Sequence, residues 1–187
     1  MNYRLYKRSR DLAWRVLLRE NVRELPVDVL ELCRRMRIDV REYVDELPDR
    51  GDGFSCIVKG KAFVFVRQGQ SRQRCRFTIA HELGHILLGH VGRFELVNRE
   101  PSSGDNPVEQ AANVFAARLL APACVLWGCR VSSAVELAKL CDISPTAAGY
   151  RWERMQLLLA RDKFLTSSLE RRVYRRFEKY IISCRDR

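Results

Sequence analysis

His81-Glu82-Leu83-Gly84-His85-Ile86-Leu87-Leu88-Gly89-His90 contains every histidine of the 187-residue chain. Random scattering seldom puts three histidines so close together. After Gly69 the apolar residues Phe77, Ala80, Leu87 and Leu88 follow a helical period that ends near Gly89, which predicts a helix. Residues four apart on a helix lie about 40° apart around the axis and ~6 Å along it. His81 and His85 therefore share a face and can direct ring nitrogens to one metal ion at ~2.0–2.1 Å. Glu82 lies beside that face, poorly angled to ligate but able to reach a water held there, as a general base must. Gly84 costs roughly 1 kcal/mol against alanine inside a helix. Its place between the histidines suggests close approach of another backbone or of substrate.

Two histidines leave a zinc ion in need of a third protein ligand if one position is to stay open for water. His90 is rotated about 140° off the shared face and fits poorly. Glu109 opens a later helix, with alanines at 111, 112, 116 and 117 that allow close packing. Asn113, one turn on, is placed to hydrogen-bond a ligand from behind. Glu109 has a second reading, because Asn106 at the N-cap and Pro107 after it put Glu109 where a capping box closes. Spacing leaves both open. Glu95, Glu100 and Asp105 are further loop carboxylates.

Outward from this helix the periods change. Residues 10–21 and the stretch after Pro26, with Val29, Leu30, Cys33 and Met36 in step, predict two amphipathic helices. Ile38–Tyr43 alternates, and Phe54–Val58 and Ala62–Val66 flank Lys59-Gly60-Lys61, predicting a hairpin and a small antiparallel sheet of about three strands. Downstream, Pro122 stops the Glu109 helix. Helices follow over about 132–141, 145–160 and 166–183. In the last, Leu169, Val173, Phe177 and Ile181 form a stripe, with Arg171, Arg172, Arg175, Arg176 and Lys179 facing away. The expected class is α+β. Residues 1–125 are expected to form one domain around the HExxH helix, and 126–187 a helical extension, with a helix-turn-helix-like segment, packed on it.

Composition excludes little else. With 47% hydrophobic and 30% charged residues the chain is an ordinary globular one, neither disordered nor fibrous. No stretch reads as the ~20 apolar residues of a membrane span. Asp11, Arg15 and Arg19 interrupt any signal-peptide core, so the cytosol is the expected compartment. Seven cysteines without a CxxC pair fit reduced core residues rather than a disulfide framework. The net charge of +11 is weighted toward the two ends, with ten basic against five acidic side chains in 1–37 and nine against four in 161–187. It suits nucleic acid, an acidic partner or solubility alike.

Arg76-Phe77-Thr78-Ile79-Ala80-His81-Glu82-Leu83-Gly84-His85, followed by Glu109-Gln110-Ala111-Ala112-Asn113-Val114-Phe115-Ala116-Ala117-Arg118-Leu119-Leu120-Ala121-Pro122, resembles the two motif blocks of the ImmA/IrrE metallo-endopeptidases, in order. Leu25-Pro26-Val27-Asp28 also looks like that family's lead-in to its second helix. The resemblance implies a zinc site of His81, His85 and Glu109, with Glu82 as the catalytic glutamate. It further implies cleavage of a helix-turn-helix repressor, relieving repression on a mobile element, phage or stress-response locus.

Tyr150 and His90 are the candidates for a second oxyanion donor, and the strand Ala62–Val66 is a candidate to pair with an extended substrate. A reading from another class remains. Residues 135–152 resemble a helix-turn-helix, which with the basic charge suggests a DNA-binding regulator holding a structural zinc. Against it, Pro145, Thr146, Ala147, Ala148 and Gly149 offer almost nothing to base edges.

Overall fold

The computed structural model describes residues 3–44, 51–92 and 106–186. Its elements run α1 (Tyr3–Arg19), α2 (Val29–Arg35), β1 (Asp39–Tyr43), β2 (Gly53–Val58), β3 (Lys61–Arg67), α3 (Arg72–Leu88), α4 (Pro107–Leu120), α5 (Ala123–Gly128), α6 (Ala134–Cys141), α7 (Pro145–Ala160), α8 (Ser168–Arg176) and α9 (Glu178–Arg185). The class is α+β. The chain divides into two compact units, one of residues 1–9 and 28–116 and another of 10–27 and 117–187. The boundary expected from sequence, between 125 and 126, falls inside α5, and residues 10–27 belong to the second unit.

In the first unit the sheet order is β1-β3-β2. β2 and β3 form the expected hairpin, joined by Lys59 and Gly60, both at positive φ, the conformation a two-residue turn between twisted strands favours. The expectation of an all-antiparallel sheet needs correction, because β1 pairs with β3 in parallel. β3 is the unbroken apolar run Ala62–Val66, so it takes the centre, where both sides are strand.

Pleating gives the sheet two chemistries. Val64 and Val66 are buried, and Ser55, opposite Val64, shares their face. On the other face Phe54 stacks on its cross-strand partner Phe65 at 4.7 Å between centroids, with Tyr43 edge-on to Phe54 at 5.4 Å. Such pairs add roughly 0.5–1.5 kcal/mol each beyond burial.

α3 starts at Ser71, whose hydroxyl accepts from Arg74 N–H, and ends at Gly89 in the left-handed region, φ 78°. It packs on β2, β3 and α2 and buries Arg76, Thr78–Ala80, Glu82–His85 and Leu88, so its apolar residues form no single clean stripe. α2 begins at Val29, capped by Asp28, rather than at Pro26, and Leu30 is exposed while Leu32 is buried.

In the second unit α6 packs on α7 and α5 on α8. Trp127 stacks on Phe164 at 5.2 Å. Gly128 passes so close to Tyr174 and Ile181 that a Cβ there would lie 2.8 and 2.9 Å from them. Val173, Phe177 and Ile181 are buried as the stripe predicted, although the helix breaks at Phe177 into α8 and α9. α1 begins at Tyr3, earlier than expected, and α5 was not foreseen. By length and composition alone Pro107–Gly128 is the one stretch among the described residues that could cross a membrane, and it gives no clear span. Of its apolar window 72% is buried in the fold, as in a core helix.

Candidate metal centre

α3 and α4 bring His81, His85 and Glu109 together. One donor atom from each lies within 4.8 Å of the others. His81 Nε2 is 2.9 Å from His85 Nε2 and 3.1 Å from Glu109 Oε2, and His85 Nε2 is 3.4 Å from Glu109 Oε1. Ligands held at ~2.0–2.1 Å by a tetrahedral ion stand about 3.3–3.4 Å apart, so the spacing suits one small cation. Glu109 turns its carboxylate to the imidazoles, while Asn106 Oδ1 accepts from Val108 N–H at the helix start.

The remaining ring nitrogens bear on whether this donor set fits a metal. Asn113 Oδ1 lies 2.9 Å from His81 Nδ1. A carbonyl oxygen only accepts, so Nδ1 carries the proton and Nε2 keeps its lone pair. His85 Nδ1 lies 3.2 Å from His90 Nδ1, and when His85 is the one that donates in that contact its Nε2 also presents a lone pair. In that tautomer the two Nε2 lone pairs, 2.9 Å apart, repel unless a cation lies between them. The residues fit a metal ion.

Glu82 is buried against the sheet, and the Ser55 hydroxyl of β2 donates to its Oε2 at 2.7 Å. Sequence reading missed Ser55. The available signal was a lone hydroxyl among Phe54, Cys56 and Ile57 on a strand beside the histidine helix. Gly84 meets a side chain where another backbone or substrate was expected, since a Cβ on it would lie 2.9 Å from Phe115 Cδ1.

His90 sits behind His85, on the ring nitrogen opposite the one that faces Glu109, a placement that lends no support to an oxyanion role. Tyr150 lies on α7 in the second unit, 72% exposed. Glu95, Glu100 and Asp105 fall outside the described residues. The helix-turn-helix-like segment is a real helix pair, with Asp142 in the left-handed region and Ser144 capping α7. Arg151, the first arginine on its second helix, is buried and donates to Ala121 O at 2.8 Å. The strand Ala62–Val66 is central and hydrogen-bonded on both sides, so it cannot take an added strand. β2 is an edge strand among the described residues.

A helix-borne HExxH with a glutamate from the next helix, beside a small sheet, defines a metallopeptidase-like site. The family model described as the IrrE N-terminal-like domain, Peptidase_M78, matches residues 33–153. The chain belongs to that metallopeptidase family. No curated protein matches it. Among solved structures it is similar in fold to a Mycobacterium tuberculosis transcriptional regulator, with 17% identity and a TM-score of 0.52, over 79% of this chain and 51% of that one. The chain thus spans about half the length of that relative.

Proposed function

We propose that the protein is a zinc-dependent endopeptidase that cuts a peptide bond in a partner protein, and that the partner is a helix-turn-helix transcriptional repressor whose loss relieves repression. The observation carrying the enzymatic reading is the convergence of His81, His85 and Glu109 beside Glu82. Bound zinc would supply Lewis acidity, lowering the pKa of water toward ~7 and polarising the scissile carbonyl. Glu82 takes the proton of the attacking water and passes it to the leaving amine. Ser55 fixes the plane of that carboxylate. Asn113 and His90 hold the two imidazoles with Nε2 turned to the ion. An extended substrate is best accommodated along the β2 edge, on the strand that carries Ser55.

The repressor as substrate rests on the family likeness. That the structural neighbour is itself a transcriptional regulator is compatible with a regulatory setting.

The test uses wild type, Glu82→Gln and Glu109→Ala. Each is analysed for zinc and mixed with the helix-turn-helix protein encoded beside it. About one zinc per chain is expected in the first two and markedly less in the third, with fragments from wild type alone. Full zinc in Glu109→Ala would return that residue to a capping role. Zinc-loaded wild type that leaves the repressor whole would remove the proposed substrate, and loss of zinc in Glu82→Gln would contradict the division of roles.

A further inference from the structure

The basic face of the C-terminal helices plays no part in the peptidase chemistry. Within the second unit it borders a cavity of 420 Å³ lined by Arg15, Leu18, Arg19, Ser168, Leu169, Arg172 and Arg176. Four guanidiniums line it and no carboxylate does. They form two i,i+4 pairs, Arg15 with Arg19 on α1 and Arg172 with Arg176 on α8. Like charges at that spacing destabilise a helix, and here two such pairs face one space. Arg176 is tied to Asn21 Oδ1, and Arg19 Nε donates to Glu20 at 2.7 Å, which fixes two of the side chains. The Arg15 and Arg172 side chains have no hydrogen-bond or ion-pair partner among the described residues.

We propose that this cavity binds a small ligand carrying two or more phosphate groups. Arginine forks match phosphate oxygens two at a time, and the Ser168 hydroxyl adds a donor. Leu18 and Leu169 offer an apolar wall for the body of the ligand. The volume is that of a small-molecule site. A duplex presents phosphates on a convex rod and would meet only the rim, so a compact polyphosphate is the better fit. This inference does not depend on the metal centre.

The test is calorimetric titration of the full-length protein with inorganic pyrophosphate, ADP and a short DNA duplex. Zinc is measured before and after, so that heat from metal removal is recognised. Pyrophosphate and ADP are expected to bind, and a preference for ADP would place its nucleoside on the leucine wall. Arg15→Gln/Arg172→Gln should weaken both by at least about tenfold with unchanged helix content. Lys139→Gln/Lys163→Gln, which removes the same formal charge from exposed positions of the same unit, should leave both within about twofold. Failure of pyrophosphate and ADP to bind wild type, equal weakening in the two double variants, or binding of duplex alone would each overturn the proposal.

Discussion

Replacing Gly84 with alanine probes how closely α3 and α4 must approach to form the metal centre. The new Cβ would lie 2.9 Å from Phe115 Cδ1, 3.2 Å from Cγ and 3.3 Å from Cβ. Carbon atoms rest at about 3.5–4.0 Å, so a gap of roughly 0.5 Å must open. Phe115 is fully buried, and its own Cβ is among the atoms struck, so rotating the ring gives incomplete relief and the helix itself must shift. Overpacking costs about 1–3 kcal/mol, and the better helix propensity of alanine returns about 1 kcal/mol. The net loss is about 0–2 kcal/mol, a fall in Tm of roughly 0–8 °C at this chain length. The metal site is less forgiving. Ligand distances hold to about 0.2 Å, and Glu109 rides on the helix that moves. Gly84→Ala should therefore weaken zinc by at least about tenfold in chelator competition, with calorimetry of the metal-free protein showing only the modest Tm change. Adding Phe115→Leu should recover much of the affinity. Wild-type zinc affinity in Gly84→Ala would refute this account of the close contact.

Further outcomes follow from single contacts. Ser55→Ala leaves the buried Glu82 carboxylate without a hydrogen bond worth about 1.5–3 kcal/mol. Peptide cleavage should slow by roughly 10–100-fold while zinc content holds, and an unchanged rate would remove Ser55 from the machinery. Asn113→Ala frees the His81 ring and should cost about 10–100-fold in zinc affinity by competition titration; unaltered affinity would sink that role. Burial pushes the Cys33 thiol up to about 12 and raises that of Cys124. Iodoacetamide near neutral pH should modify neither until the protein is denatured, as peptide mass mapping can check. Hydrogen bonds from Arg34 and Arg35 lower Glu31 from 4.5 to about 2. Because the folded value is the lower one, its contribution is complete above the unfolded pKa and is lost as pH falls from about 4.5 toward 2. Denaturation curves of wild type and Glu31→Gln should therefore converge on acidification, and a constant gap would contradict this.

The metal-site geometry was the most legible part of the chain, because helical spacing alone fixes which residues share a face. His81 and His85 needed only the period of α3, and Glu109 needed in addition the knowledge that α4 returns to that face. Ser55 stayed hidden because its partner is 27 residues away, and no local period encodes which strand lies under Glu82. The parallel pairing of β1 was missed for a related reason. Alternation reports which side of a strand is buried and is silent on the direction of its neighbour. α5 follows Pro122 directly and is only six residues long, too short to show a period. His90 could be rotated off the ligand face from sequence, but its position behind His85 required the left-handed turn at Gly89.

The turn at Lys59 and Gly60 reaches further than its solvent-exposed setting suggests. Side chains on a strand alternate, so a slip of one residue between β2 and β3 would send Ser55 to the aromatic side and offer Glu82 the ring of Phe54 or the thiol of Cys56. The pairing of Ser55 with Val64 is thus held in place by two residues that take no part in the candidate metal centre. A bulky β-branched substitution at Gly60, whose φ is 78°, would act on the proton transfer proposed for Glu82 by misaligning a ladder of backbone hydrogen bonds, and it would do so while leaving His81, His85 and Glu109 untouched.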